Sequence, residues 1–253
     1  MTVKKLYDKL TERIPEELRC DWDNDGIMCC SDFSAEVNSI LIALDVTEEI
    51  VDYAISRNFD LIISHHPLIF KPVDRLTEEN HTSRKIIKLI SNNVSVFSFH
   101  TRADKVKGGV NDLLCEAIGL VDVIPFGEDG LGRIGNLPEE CELDEFCNNV
   151  KIDLGADGVR YADAYNTVKR VALVGGDGKD YVKAAIAAGA DTYLSGRLSY
   201  NVMEEAADMG INLVEAGHYF TEFPVTSFFS SLISSLDGNA YIEIADSNMI
   251  KLI

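Results

Sequence analysis

The ten residues Leu61 to Phe70, LIISHHPLIF, place two adjacent imidazoles directly after a short apolar run. Leu61, Ile62 and Ile63 read as a buried strand. Pro67 cannot donate to a sheet ladder and biases His66 away from helical backbone, so the strand is predicted to stop at Ser64-His65-His66-Pro67. In open α/β sheets ligands bind at the carboxyl ends of strands. Neighbouring side chains on a strand point to opposite faces, so both rings serve one site only if the backbone turns between them. Two further stretches carry related chemistry. His100-Thr101-Arg102-Ala103-Asp104 and His218-Tyr219-Phe220-Thr221-Glu222 each set an imidazole four residues before a carboxylate, just past a predicted strand. If the chain turns into a helix there, the two groups share a face.

Imidazole and carboxylate together suit zinc, iron, manganese or cobalt, and the lack of a thiolate argues against a closed structural zinc site. His65, His66, His100 and His218 with Asp104 and Glu222 exceed the four ligands of one tetrahedral ion. Two divalent ions sharing a bridging carboxylate use that inventory better. A lone strand-end His is commonly a hydrogen-bonded structural residue. What outweighs that plain reading is the adjacent pair followed by two H-x-x-x-acid elements. His81 stands apart, at no predicted strand end.

The elements that must position these groups alternate in type. Val3, Leu6, Leu10 and Ile14 mark a helix ended by Pro15, and Cys20 to Met28 reads as a polar loop carrying the only Trp. Ser39 to Leu44 is a predicted strand, Thr47 caps a helix to about Arg57, and a further helix lies near Arg84 to Ser91. Val94 to Phe99 is the strand that delivers His100. In the second half, Val171–Val174, Thr192–Ser195 and Ile211–Ala216 are predicted strands, with helices over Asp180–Ala188 and Leu198–Met209. The pattern predicts an α/β fold of two related domains, each with a mostly parallel sheet flanked by helices. The first domain is expected over 1–125, completed by 218–253, and the second over 126–217. Ile40, Asp60 and Ser64 lie 131 residues before Val171, Asp191 and Ser195, while His100 and Asp104 lie 118 before His218 and Glu222, as an internal duplication would have them.

Charge and composition exclude several classes. A net charge of -19 over 253 residues repels phosphate backbones, and no basic run offsets it, so nucleic-acid binding is not expected. No apolar run is long enough to span a bilayer, and the N-terminus has no apolar signal core, which predicts a cytosolic protein. Six Cys form no CxxC pair and read as reduced thiols. Cys29-Cys30 lack the spacing of a metal site. Gly175-Gly176-Asp177-Gly178 lacks the third glycine and the Lys of phosphate loops and reads as a tight turn. Gly108-Gly109-Val110-Asn111-Asp112 is expected to open a helix, Glu139-Glu140-Cys141-Glu142 to be solvated, and Phe220 to pack.

SHHPLIF, HTRADKVKGGVND and GHYFTE, with DWDNDGI, LIALDVT and GLGRIGNL in the same order, resemble the Nif-three-like family, whose members are known as GTP cyclohydrolase I type 2 homologues. The likeness spans essentially the whole chain, in the family's short form. It implies two α/β domains with a dinuclear metal site in the cleft between them, and a toroidal homohexamer. It also implies His65, His66, Asp104, His218 and Glu222 as ligands, with Glu222 bridging. His100 matches the motif but is placed behind the ligands, as the proton donor, and Asp45 is a weaker supporting candidate. Arg102 departs from the family's usual Asn; a guanidinium there either holds a phosphate or carboxylate or points to solvent.

Two functions follow from the residues and the resemblance. One is a hydrolase in which metal-activated water acts on a nucleotide or small phosphorylated substrate. The other is a non-catalytic metal carrier or regulatory protein using the same ligands.

Overall fold

Ile40, Leu41, Ile42, Leu61, Ile62, Ile63, Val96 and Phe97 are all completely buried, as unbroken apolar runs in strands covered on both faces must be. The computed structural model describes residues 1–252, the side chain of Ala207 excepted. The described chain forms two α/β units, Met1–Val106 with Val225–Met249, and Lys107–Pro224 with the last residues from Ile250. No described helix is long and apolar enough to cross a membrane.

The described strands of the first unit lie in the order Gly26–Cys29, Ser95–Ser98, Leu61–Ser64, Ser39–Ala43, Tyr241–Ile244. Only the pairing of Gly26–Cys29 with Ser95–Ser98 is antiparallel. Thr47 caps the Glu48–Ser56 helix as predicted, accepting from the Ile50 amide at 3.2 Å. The next helix starts earlier than expected, at His81, because the Asn80 side chain accepts from the Thr82 and Ser83 amides. The end of the expected Cys20–Met28 loop is a strand from Gly26.

The second unit departs from the expected mostly parallel sheet. Its order is Val121–Phe126, Gly132–Cys141, Val168–Asp177, Thr192–Arg197, Asn212–Glu215, Arg160–Ala162. The three strands from Val168 to Glu215 run parallel, and the other pairings are antiparallel. The Val121–Cys141 hairpin accounts for much of this; its first strand, VDVIPF, carries Pro125 and is largely exposed, so its apolar residues do not mark a buried strand. Its pairing to Val168–Asp177 draws residues from Lys107 into the second unit, so the chain leaves the first at 106 rather than 125.

The duplication is visible in hydrogen bonds. Asp60 Oδ2 accepts from the amides of Asn38 (2.8 Å) and Ser39 (3.0 Å), and Asp191 Oδ2 from those of Lys169 (3.1 Å) and Arg170 (2.7 Å). Those partners keep the spacing of 131. The third strand does not keep 118. Leu61 pairs with Ser95, and Thr192 with Asn212, a spacing of 117. The short helices after these strands, Thr101–Lys105 and His218–Glu222, keep the same spacing, so His100 precedes its helix while His218 is the first residue of its own. The two H-x-x-x-acid elements are therefore one residue out of structural step.

Arg102 does not point to solvent, and the carboxylate it holds is the chain's own Asp25. The Arg102 side chain is completely buried, with Nε donating to Asp25 Oδ2 at 3.0 Å, Nη1 to the Ile14 carbonyl at 3.1 Å, and Nη2 to the Tyr7 hydroxyl at 3.3 Å. The guanidinium carbon also lies 4.7 Å from the Phe99 ring centroid. One side chain thus ties the N-terminal helix, the Asp23–Asp25 loop and the end of the His100 strand together. Burial pushes the Asp25 carboxyl up, with the Arg102 charge opposing. Arg102→Met leaves that carboxyl buried without its cation and is expected to lose about 3–5 kcal/mol of unfolding free energy. Denaturant melts followed at the single Trp read this directly, and adding Asp25→Asn should restore part of the loss. A single variant within about 0.5 kcal/mol of the parent would show that the brace carries no stability.

Candidate metal centre

Ser64 ends its strand by turning its hydroxyl onto the His66 carbonyl at 2.8 Å and meeting the Ser98 hydroxyl at 2.8 Å. The chain turns there, and the His65 and His66 ring centroids come within 5.0 Å. This is the turn that two neighbouring imidazoles need to serve one site. His65 Nδ1 lies 2.9 Å from the Phe99 carbonyl oxygen, which can only accept, so Nδ1 carries the proton and Nε2 the lone pair of the neutral ring. His66 Nδ1 lies 2.8 Å from Asp45 Oδ1, which fills the supporting place expected of that residue. An oxygen behind each ring is the arrangement that orients histidine ligands toward a metal.

One nitrogen from each of His65, His66 and His100 falls within 4.8 Å of the others. Asp104 joins them, its Oδ1 3.5 Å from His65 Nε2. The first unit thus gathers four of the six residues singled out from sequence. The donor set fits a divalent transition ion: imidazole and carboxylate, no thiolate, and proton positions already set on the far side of the rings.

His100 is held differently. Its Nδ1 lies 2.7 Å from Asp23 Oδ1, and the other oxygen of Asp23 accepts from the Thr101 amide at 3.0 Å and hydroxyl at 2.6 Å. Burial works to raise the Asp23 pKa, but the bonds from His100 and Thr101 prevail and hold it at about 2. Burial likewise works to lower the His100 pKa, and Asp23 and Asp104 together outweigh it, leaving the ring more basic than an ordinary imidazole. Asp23 thus fixes the orientation of the His100 ring, as the Phe99 carbonyl fixes that of His65. Sequence reading left Asp23 and Asp25 inside a polar loop. Their signal was the alternation D-W-D-N-D, which sends Asp23 and Asp25 to one side of an extended chain.

In the second unit, His218 and Glu222 share a face of their short helix, with Nε2 3.0 Å from Oε2. Gly217, at φ 89, turns the chain into that helix. The glycines read as a plain tight turn have a sharper role here. Gly175 and Gly176 belong to the Val168–Asp177 strand, and Gly176 has φ +66. A Cβ on Gly176 would come 2.0 Å from Glu222 Oε1 and 3.1 Å from His218 Nε2. Only glycine leaves room for both groups. The Gly176 amide donates to Thr221 Oγ1 at 3.1 Å, and the Gly175 amide to buried Asn111 Oδ1 at 2.7 Å. Asn111 comes from the G-G-V-N-D stretch, which opens the Val110–Ala117 helix as expected.

The remaining candidates fall away. His81 is exposed at the start of its helix. All six thiols are free, and burial pushes Cys29, Cys115 and Cys147 up to about 12, so they stay protonated at neutral pH.

With this geometry in view, the relatives of the chain are informative. A family model for DUF34/NIF3 (NGG1p interacting factor 3) matches residues 1–251. A Clostridium perfringens protein called GTP cyclohydrolase 1 type 2 homolog is 35% identical over 232 residues, 89% of this chain and 88% of the relative. A Clostridium acetobutylicum protein of the same name is 34% identical over 232 residues, 88% of this chain and 86% of the relative. A solved Staphylococcus aureus hypothetical protein superposes with a TM-score of 0.90 at 25% identity, covering 100% of this chain and 99% of its own. A Bacillus cereus protein related to NIF3 gives a TM-score of 0.88 at 24% identity over the same shares, a likeness of fold. The chain belongs to the DUF34/NIF3 family.

Proposed function

We propose that this protein is a dinuclear-metal-dependent hydrolase acting on a nucleotide or a small phosphorylated compound. His65, His66 and Asp104 of the first unit and His218 and Glu222 of the second are assigned as ligands of one centre, with Glu222 as the bridge. The observation that carries the reading is the convergence of three neighbouring imidazoles, each tied at Nδ1 from behind. The Phe99 carbonyl holds His65, Asp45 holds His66 and Asp23 holds His100, which aims one nitrogen of each ring at a common centre. The name GTP cyclohydrolase 1 type 2 homolog, borne by the two Clostridium relatives, points to a nucleotide as substrate.

Bound divalent ions would lower the pKa of a water and polarise a phosphoryl or carbonyl oxygen. The chain supplies the rest. His100 hands a proton from its second nitrogen to the leaving group, and Asp23 holds the ring in register while it does so. Asp45 and the Phe99 carbonyl keep His66 and His65 from rotating away. Arg102, buried against Asp25, takes no part in substrate binding and acts on the site only by fixing the loop that carries Asp23. The assembly is assigned as a homohexamer on the family resemblance. A metal-carrying role is the second reading, favoured by the 40% exposure of the His218 side chain, which suits an exchangeable ion.

The function is tested by screening metal-replete protein against GTP, other nucleotides and phosphoesters. Turnover is expected with at least one class, falling about a hundredfold or more in His65→Ala. No turnover across the panel, with fast metal release to a chelator, would instead establish the carrier. Gly176→Ala tests the second half of the ligand set. Its Cβ would displace Glu222, so metal affinity should fall about tenfold or more, with the unfolding midpoint of the first unit, read at Trp22, unchanged. Unaltered affinity would remove His218 and Glu222 from the centre.

A further inference from the structure

Trp22 is 64% exposed and Phe70 49% exposed, although both are large apolar rings whose burial would stabilise the fold. They are not loose. The Asn24 side chain donates to the Ile69 carbonyl and pins the two loops together. The ring centroids of Trp22 and Phe70 are 6.3 Å apart, and each stands edge-on to His100, at 6.0 and 6.2 Å. His100 is in turn 5.2 Å from His65 and 5.7 Å from His66. Two fixed, exposed aromatic rings therefore flank the ring assigned to proton transfer, one imidazole away from the assigned ligands.

Phe70 also forms part of a groove of about 1080 Å³. Lys71, Arg75 and Lys85 line it with two acids, Asp74 and Glu79, a clustering of bases in a chain with 23 basic and 42 acidic residues, and Glu48 and Asp45 also lie near Lys85. Among the described residues no ion pair engages Lys71 or Arg75. The groove is built as well as charged: the Ser83 hydroxyl holds the Arg75 carbonyl at 2.7 Å, and Lys85 Nζ reaches the Val46 carbonyl at 2.6 Å.

We propose that Trp22 and Phe70, whose planes stand 67° apart, form an aromatic shelf for the heteroaromatic ring of the substrate, one ring meeting its face and the other its edge, with the phosphate chain of the same molecule lying in the groove beside Lys71, Arg75 and Lys85. This rests on the hydrolase reading and deepens it by naming the part of the substrate each surface takes. Aromatic faces bind any planar base, so the shelf selects for a ring and the groove for its anionic tail. The ring is thereby set against His100, and the tail runs into the groove that Phe70 borders.

Trp22 is the only Trp in the chain, so its emission reports on the shelf without a label. Metal-replete full-length protein is titrated with guanosine, GTP and inorganic tripolyphosphate, and metal content is measured in parallel. Guanosine and GTP are expected to quench Trp22, and tripolyphosphate is not. Phe70→Ala should weaken guanosine about fivefold or more. Lys71→Ala with Arg75→Ala should weaken GTP while leaving guanosine unchanged. Both changes are on exposed residues, and metal content should stay at the parent value. Unchanged emission with guanosine and GTP, or equal quenching by tripolyphosphate, or no effect of Phe70→Ala, overturns the shelf while leaving the metal reading intact. Base-dependent quenching in a protein that takes up no metal would support the shelf and overturn the metal reading.

Discussion

An imidazole can hold a metal only through a nitrogen that has given up its proton, and it stays aimed only if its other nitrogen is tied down. In this protein that second bond comes first. The Phe99 carbonyl behind His65, Asp45 behind His66 and Asp23 behind His100 lie within 2.7–2.9 Å of their rings. Each is supplied by a different element, so the sheet, the helix start at Thr47 and the Asp23–Asp25 loop must all be in place before the rings converge. Arg102 contributes here, since its bonds to Asp25 and the Ile14 carbonyl fix the loop from behind. A site built this way is ordered by the fold before any ion arrives.

The partners behind the rings differ, a carbonyl for His65 and carboxylates for His66 and His100. A carbonyl cannot take a proton from His65, so that ring is limited to one neutral tautomer. A carboxylate against His100 stabilises the charged ring instead. In the second unit the corresponding device is space rather than charge: Gly176 and Gly217 let backbone and carboxylate approach closely enough for His218 and Glu222 to sit side by side.

Much of the assigned ligand set was legible because it sits at predictable places. Strand ends followed by Pro67, or by an acid four residues on, mark positions where side chains leave the sheet together. The parallel core of both units was legible from unbroken apolar runs. The Val121–Cys141 hairpin was not, because its strands are exposed or mixed and resemble loop. Asp23 and Asp25 were not, because their partners lie 77 residues away and the D-W-D-N-D alternation does not name those partners. Arg102 was misread for the same reason, since a charged side chain is buried only when a distant carboxylate pairs with it. The role of Gly176 depends on a helix more than forty residues further on. The shift between 118 and 117 residues in the repeat shows that matching motifs and matching backbone positions are separate facts.

The proposed function requires metal on this chain and a part for Glu222 in holding it. The most direct measurement is metal content per chain in protein purified without chelator, with Glu222→Ala alongside. The account predicts about two divalent transition ions per chain in the parent and a sharp fall in the variant. Little or no metal in either, even after reconstitution, would contradict it and return the histidines to a structural role.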